Sequence, residues 1–114
     1  MQNEMYKRVN VNDVYERAID FYGVDNQLFQ LCEELAELIK AVNKWRRNRK
    51  LAEIYPAYRD DVTEEIADVE IMIDQLIMML DISYKDLFDI KYSKINRLAE
   101  RIREDKKENE RNSD

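Results

Sequence analysis

The chain has 114 residues, a formal net charge of −6 at pH 7, one glycine, one proline and no histidine. So little glycine and proline excludes a P-loop and a Rossmann turn, and it favours a single all-α domain built from a few long helices. The missing histidine argues against zinc chemistry, and the acidic balance argues against binding of nucleic-acid polymers.

Residues 1–11 are predicted to be a flexible leader, and they lack the apolar segment of a signal peptide. No apolar run in the sequence is long enough to span a membrane. Cys32, the single cysteine, excludes an intrachain disulfide and is expected to be a buried thiol within an apolar helix. These features predict a cytoplasmic protein.

The first two predicted helices lie on either side of Gly23, a residue type that suits a helix end. They cover about residues 12–22 and 26–47. Their expected N-caps are Asn12 or Asp13 for the first helix and Asp25 for the second. The predicted core face of the second helix follows a helical period and comprises Leu28, Leu31, Cys32, Leu35, Leu38, Ile39 and Val42.

Residues 48–61 have no sustained period and contain Pro56, so they are predicted to be a long connection, which is a lid, a specificity loop or a simple crossover. The third helix is predicted to begin near Thr63 and to end at Leu80. Its two apolar faces comprise Ile66, Val69, Ile73, Leu76, Ile77 and Leu80 on one side, and Ile71, Met72, Met78 and Met79 on the other. Because this helix is apolar nearly all round, we expect a homo-oligomer whose interface uses it.

Ser83 and Asp86 resemble a capping box and are predicted to open a fourth helix over residues 84–102. Its candidate core residues are Leu87, Ile90, Ile95, Leu98 and Ile102. A basic stripe of Lys91, Lys94, Arg97 and Arg101 recurs at three- and four-residue steps. Such a stripe is either a solvated face or a clamp for phosphate oxygens. Residues 104–114 carry no apolar side chain and are predicted to be a disordered charged tail.

Carboxylates are concentrated in two motifs, E-E-x-x-E in the second helix and E-x-x-D in the third. Residues three or four apart share a helix face, so two facing pairs would form a pocket of four carboxylates, Glu34, Glu37, Glu65 and Asp68. Carboxylates close to a core need a compensating cation, and oxygen ligands favour Mg²⁺ or Mn²⁺. The basic run at residues 43–50 beside this site suits a metal-bound phosphate, although a solvated helix face is the simpler interpretation of any single charge.

The third predicted helix also carries Asp68, Glu70 and Asp74 among its apolar residues. Burial of several carboxylates costs several kcal/mol each unless a positive charge compensates them. We therefore expect these side chains to be buried and compensated.

With Glu33, Glu34 and Glu37 in the first motif and Glu65 and Asp68 in the second, the sequence resembles the MazG-like all-α nucleoside triphosphate pyrophosphohydrolases, in particular phage-type and dCTPase-like members. The resemblance covers about residues 12–103. It implies a four-helix bundle-like fold, a homodimer or homotetramer, and Mg²⁺-dependent cleavage of a (d)NTP to the monophosphate and pyrophosphate.

Residue by residue, the resemblance implies that Glu34, Glu37, Glu65 and Asp68 are metal ligands and that Glu33 is a further catalytic acid. It places Lys91, Lys94 and Arg97 near the substrate phosphates. Trp45 is the candidate for contact with the base, but it falls one position later than the stacking tryptophan of dCTPase-like members, a rotation of ~100° on a helix. Trp45 is therefore either a base contact or a core or rim residue.

Two other functions are compatible with the sequence. One is a non-catalytic helical oligomerisation or adaptor protein whose acidic residues are solvated. The other is a nucleotide sensor on the same fold, which binds nucleotides without efficient hydrolysis.

Overall fold

The computed structural model describes residues 8–113, and every regular element among them is a helix. The helices are α1 (Val11–Tyr22), α2 (Val24–Arg47), α3 (Arg49–Ala52), α4 (Ala57–Met79) and α5 (Tyr84–Asn112). The all-α prediction is confirmed. The described residues divide into two compact units, residues 8–80 and residues 81–113. Most of the predicted leader, residues 1–7, lies outside the described residues.

The first unit is organised around α2 and α4, which pack along one another, while α1 and α3 each contact both. Gln27 near the start of α2 meets Gln75 near the end of α4, so the two long helices run antiparallel. No helix within residues 8–113 combines the length and the apolar content needed to cross a membrane.

The starts of α1 and α2 differ from the predicted caps. Asn10 caps α1, because its side chain accepts a hydrogen bond of 3.1 Å from the backbone N–H of Asp13. Gly23 ends α1 as predicted, with its N–H bonded to the carbonyl of Ile19 and a φ of 88° that other residues adopt only with strain. Since α2 begins at the next residue, Asp25 lies in its first turn and is not its cap.

The predicted long connection over residues 48–61 is mostly helical. Residues 49–52 form α3, and α4 begins directly after Pro56. Proline suits this place because its fixed φ fits a helix start and the first turn does not need its missing N–H. Thr63 therefore lies inside α4, where its hydroxyl donates a hydrogen bond of 2.9 Å to the carbonyl of Arg59.

The core is small and contains only part of the predicted apolar faces. Its buried apolar residues are Leu31, Val69, Met72 and Ile77. The predicted core residues Leu28, Leu35, Ile39, Val42, Ile66, Ile73 and Leu80 are exposed, and Cys32, expected to be buried, is exposed as well. Polar side chains share the packed face, since Gln27 and Gln75 are buried between the helices.

We expect Gln75→Leu to lower the free energy of unfolding by about 1–3 kcal/mol, because it leaves a buried amide without its partner. In the native chain Gln27 Nε2 donates a hydrogen bond of 2.6 Å to Gln75 Oε1. The double variant Gln27→Leu with Gln75→Leu removes both polar groups and should recover most of the loss. Urea unfolding of the two variants, with the exposed Asn96→Leu as a control, measures the difference; equal stability of the single and double variants would contradict the prediction.

Helix α5 forms the second unit. Ser83 caps it as predicted, accepting a hydrogen bond from the backbone N–H of Asp86 at 3.3 Å. The helix continues to Asn112, through most of the segment predicted to be a disordered tail. Charged residues that favour helices, and pairs one turn apart such as Arg103 with Glu100, explain the extension. No residue of α5 is buried, including its five predicted core positions.

Candidate metal centre

Three of the predicted ligands converge from the two long helices. Glu34 lies on α2, and Glu65 and Asp68 lie one turn apart on the facing side of α4. Each offers one carboxylate oxygen, and the three oxygens lie within 4.8 Å of one another. This spacing allows one small cation to contact all three.

Glu65 is the most constrained member of this group. It is half-buried, and its Oε2 atom is closed to solvent without a hydrogen-bond partner among residues 8–113. Burial raises the pKa of Glu65, and the negative charges of Glu34, Asp68 and Glu37 raise this pKa further, as does a hydrogen bond that the protonated carboxyl can make with Glu34. A buried oxygen without a donor, surrounded by like charges, fits a bound cation.

Gln30 orients the carboxylate of Glu34, and its role was missed in the sequence. Its Nε2 atom donates a hydrogen bond of 2.8 Å to Glu34 Oε1 from one turn earlier on α2. Such outer contacts fix the direction of a metal ligand. The four-residue spacing of Gln30 and Glu34 is the signal that could have revealed the contact.

Glu37 and Glu33 do not join the three-carboxylate group. Glu37 lies ~4.5 Å further along α2 than Glu34, and its Oε1 is 3.8 Å from Lys40 Nζ. Glu33 lines a different cavity, next to Gln27 and Gln75. The structure therefore brings together three of the four predicted ligands and leaves Glu37 at the edge of the group.

The expectation that the acidic residues of α4 are buried is correct only in part. Glu65 and Asp74 are half-buried, whereas Asp68 and Glu70 are exposed. Asp74 accepts a hydrogen bond of 3.1 Å from the hydroxyl of Tyr15 on α1, which satisfies one of its oxygens. Asp74 thus has a hydrogen-bond donor, whereas Glu65 Oε2 has none among residues 8–113.

A cavity of about 360 Å³ adjoins the carboxylates on the side of the C-terminal half of α2. Glu37 and Glu65 form the end nearest the carboxylate group, and α4 adds Asp61 and Glu64. The α2 side carries three cationic residues, Lys40, Lys44 and Arg47, together with Ala41 and Asn43. An acidic wall and a basic wall thus face each other beside the candidate metal site.

Two further cavities lie along the same helices. One, of about 650 Å³, is lined by the buried amides Gln27 and Gln75 and by the rings of Tyr22 and Phe29. The other, of about 390 Å³, is an apolar groove that includes Trp45 and Ile66. Trp45 is 38% exposed, so it lies at the rim of a groove and not in the core.

The predicted phosphate ligands Lys91, Lys94 and Arg97 lie on α5, in the second unit, and are exposed.

Without a cation, Glu65→Gln is expected to raise the melting temperature at pH 7. The pKa of Glu65 is raised in the folded state. Its contribution to stability is therefore fully present below the pKa of the unfolded chain, and it is lost as the pH rises through the folded pKa. Glutamine does not titrate, so the higher melting temperature of Glu65→Gln relative to the native chain should disappear near pH 4, below the usual glutamate pKa. Thermal unfolding with a chelator, at pH 7 and pH 4, tests this. Glu70→Gln, on the exposed side of α4, should show no such pH-dependent gain; an equal gain in both variants would show that net charge alone is responsible.

Comparison of the chain with protein-family models, with curated proteins and with solved structures finds no match in any of the three.

Proposed function

We propose that this protein is a Mg²⁺-dependent nucleoside triphosphate pyrophosphohydrolase of the MazG-like type, which cleaves a (d)NTP to the (d)NMP and pyrophosphate. The observation that carries the proposal is the convergence of Glu34, Glu65 and Asp68, of which Glu65 has a buried oxygen without a hydrogen-bond partner among residues 8–113. The order and spacing of the two carboxylate motifs support the same proposal. Mn²⁺ is the alternative cation for such oxygen ligands.

Glu34, Glu65 and Asp68 would hold the cation, which neutralises phosphate oxygens and polarises a water when bound. In the reaction a water oxygen bonds to the α-phosphorus, the bond to the α–β bridging oxygen breaks, and pyrophosphate leaves with the electron pair. A site carboxylate accepts the proton of the water, and Glu37, at the edge of the group, is the candidate for this role. The contact of Glu37 with Lys40 is exposed, and such pairs contribute less than about 1 kcal/mol, so Glu37 can turn toward the site at little cost.

Incubation with Mg²⁺ and a panel of NTPs and dNTPs tests the proposal. We expect pyrophosphate from at least one nucleotide, with no matching release of orthophosphate and no reaction in the presence of a chelator. Absence of pyrophosphate from every nucleotide would overturn the proposed reaction. Tight binding of a nucleotide without turnover would instead select the sensor function.

We also propose that the chain assembles as a homodimer or homotetramer. Five apolar residues of α5, Tyr84, Phe88, Ile95, Leu98 and Ile102, follow the steps of a coiled-coil seam, with Lys91 at the intervening position. All five are exposed, and Leu98 and Ile102 are each 48% exposed. On α4, Ile71 and Ile73 are exposed as well. Apolar rows of this kind are typical of surfaces that a second chain covers.

The same rows favour the second candidate function, an oligomerisation or adaptor protein without catalysis. That function predicts that neutralising the site carboxylates has no effect on assembly and that Mg²⁺ has no specific effect in calorimetry. The nucleotide panel and a Mg²⁺ titration therefore separate the two candidates.

A further inference from the structure

We infer that the cavity between α2 and α4 binds a cation-complexed polyphosphate, with Lys40, Lys44 and Arg47 holding its phosphate groups. The inference rests on the proposed function and names the side chains that take the phosphate chain of its substrate. It moves that role from Lys91, Lys94 and Arg97 on α5 to the helix that also carries Glu34.

The three cationic residues lie on one face of α2. Steps of four and three residues bring Lys40, Lys44 and Arg47 to the same side of the helix, and all three line the cavity. Together they extend over ~10.5 Å along the helix axis, a length that suits a row of several linked phosphate groups. The row begins one turn beyond Glu37, next to the carboxylate group.

The opposite wall determines what kind of anion fits. Asp61, Glu64 and Glu65 face the basic row from α4, and they would repel an anion that carried all of its charge uncompensated. A polyphosphate whose charge is partly neutralised by a divalent cation avoids this repulsion, because the cation binds the carboxylates while the remaining oxygens face the lysines and the arginine. The paired walls therefore favour the complex over either free anions or free cations.

The basic side chains are available for such a ligand. Among residues 8–113, the side chain of Arg47 has neither an ion-pair nor a hydrogen-bond partner. Its planar guanidinium group is therefore free to bind two phosphate oxygens. Lys44 Nζ lies 5.9 Å from the centre of the Tyr58 ring, and Lys40 makes only an exposed contact with Glu37. These contacts are weak and are easily exchanged for phosphate.

Basic residues also favour the C-terminal turn of any helix through the helix dipole. Arg46 and Lys50 have the same charge and lie close in the sequence, but neither lines the cavity. They provide a control with an identical change in net charge.

The test is the binding of inorganic tripolyphosphate to the full chain, measured by calorimetry with Mg²⁺ at fixed ionic strength. We expect Lys44→Gln with Arg47→Gln to weaken binding at least about tenfold, and Arg46→Gln with Lys50→Gln to change it less than about threefold. The charge-retaining variant Lys44→Arg, which leaves the guanidinium of Arg47 in place, should keep most of the affinity, which separates charge from folding. Equal losses in the two glutamine pairs, or no loss in either, would overturn the inference.

Failure of the inference and failure of the proposed function give different results. If tripolyphosphate binds and depends on Lys44 and Arg47, but no nucleotide yields pyrophosphate, the binding site stands and the reaction is wrong. If pyrophosphate is released at an unchanged rate after Lys44→Gln with Arg47→Gln, the reaction stands and the phosphate site is wrong.

Discussion

Asp68→Asn is expected to lower kcat/KM for pyrophosphate release by at least about 100-fold. Replacing a residue that only hydrogen-bonds a metal ligand already lowers metal affinity or activity by about 10–100-fold. Asp68 supplies one of the three converging oxygens, and asparagine keeps its shape while removing the negative charge. Since Asp68 is exposed, the substitution should leave the fold intact. Glu34→Gln removes the charge of another converging carboxylate and should be similarly damaging. Glu37→Gln should be similarly damaging if Glu37 turns into the site when the cation binds. Steady-state pyrophosphate assays on these variants, with circular dichroism as a check of helicity, give the comparison.

A metal-binding measurement separates loss of the cation from loss of folding. Titration with Mn²⁺, followed by electron paramagnetic resonance, should show tight binding to the native chain and to Glu70→Gln, which changes an exposed carboxylate outside the group. Binding should be lost in Asp68→Asn. If Asp68→Asn bound Mn²⁺ as well as the native chain, the three-carboxylate group would not be the metal site.

Leu98→Asp together with Ile95→Asp is expected to convert the assembled protein to monomers at micromolar concentration. Both residues lie in the apolar row of α5, and a carboxylate placed in a buried seam costs several kcal/mol of desolvation unless it finds a partner. Sedimentation equilibrium of the native and variant chains measures the change in mass. Asn96→Asp adds a charge on the same helix outside the row and should leave the mass unchanged. A native chain that is already monomeric, or a variant with unchanged mass, would contradict the proposed assembly.

The helices could be predicted from the sequence wherever local chemistry marks them. Gly23 ends a helix, and Ser83 with Asp86 begins one, because each of these residues forms the expected backbone contact on its own. Pro56 misled the prediction, since a proline within an aperiodic stretch suits a loop as well as the first turn of a helix. The tail was predicted to be disordered because it has no apolar side chain to bury. An exposed helix of charged residues does not require such burial, and α5 continues to Asn112.

The packed faces were harder to predict, because the apolar period was the signal used to assign them. Gln27 on α2 and Gln75 on α4 are buried, while Ile39 on α2 is 62% exposed, so burial does not follow side-chain polarity on these helices. The carboxylate motifs nevertheless located three converging side chains, since their spacing within each helix is fixed by helix geometry. Which basic residues lie beside the carboxylates depends on how α2 and α4 are rotated about their axes. This rotation cannot be predicted from residue spacing within one helix. The basic run at residues 43–50 predicts cationic side chains beside the carboxylates, but it does not include Lys40. It also does not show that Arg47 lines the cavity and Arg46 does not.

The hydrogen bond between Gln27 and Gln75 also sets the axial register of α2 against α4. Apolar side chains tolerate sliding, whereas a buried amide pair matches in one alignment, much as a single polar residue selects the register of a coiled coil. A slip of one turn, ~5.4 Å, exceeds the 4.8 Å within which the three carboxylate oxygens meet. Helices that slipped would therefore stay helical and paired, but Glu34 would no longer meet Glu65 and Asp68. The amide contact between Gln27 and Gln75 thus determines whether the three-carboxylate group forms.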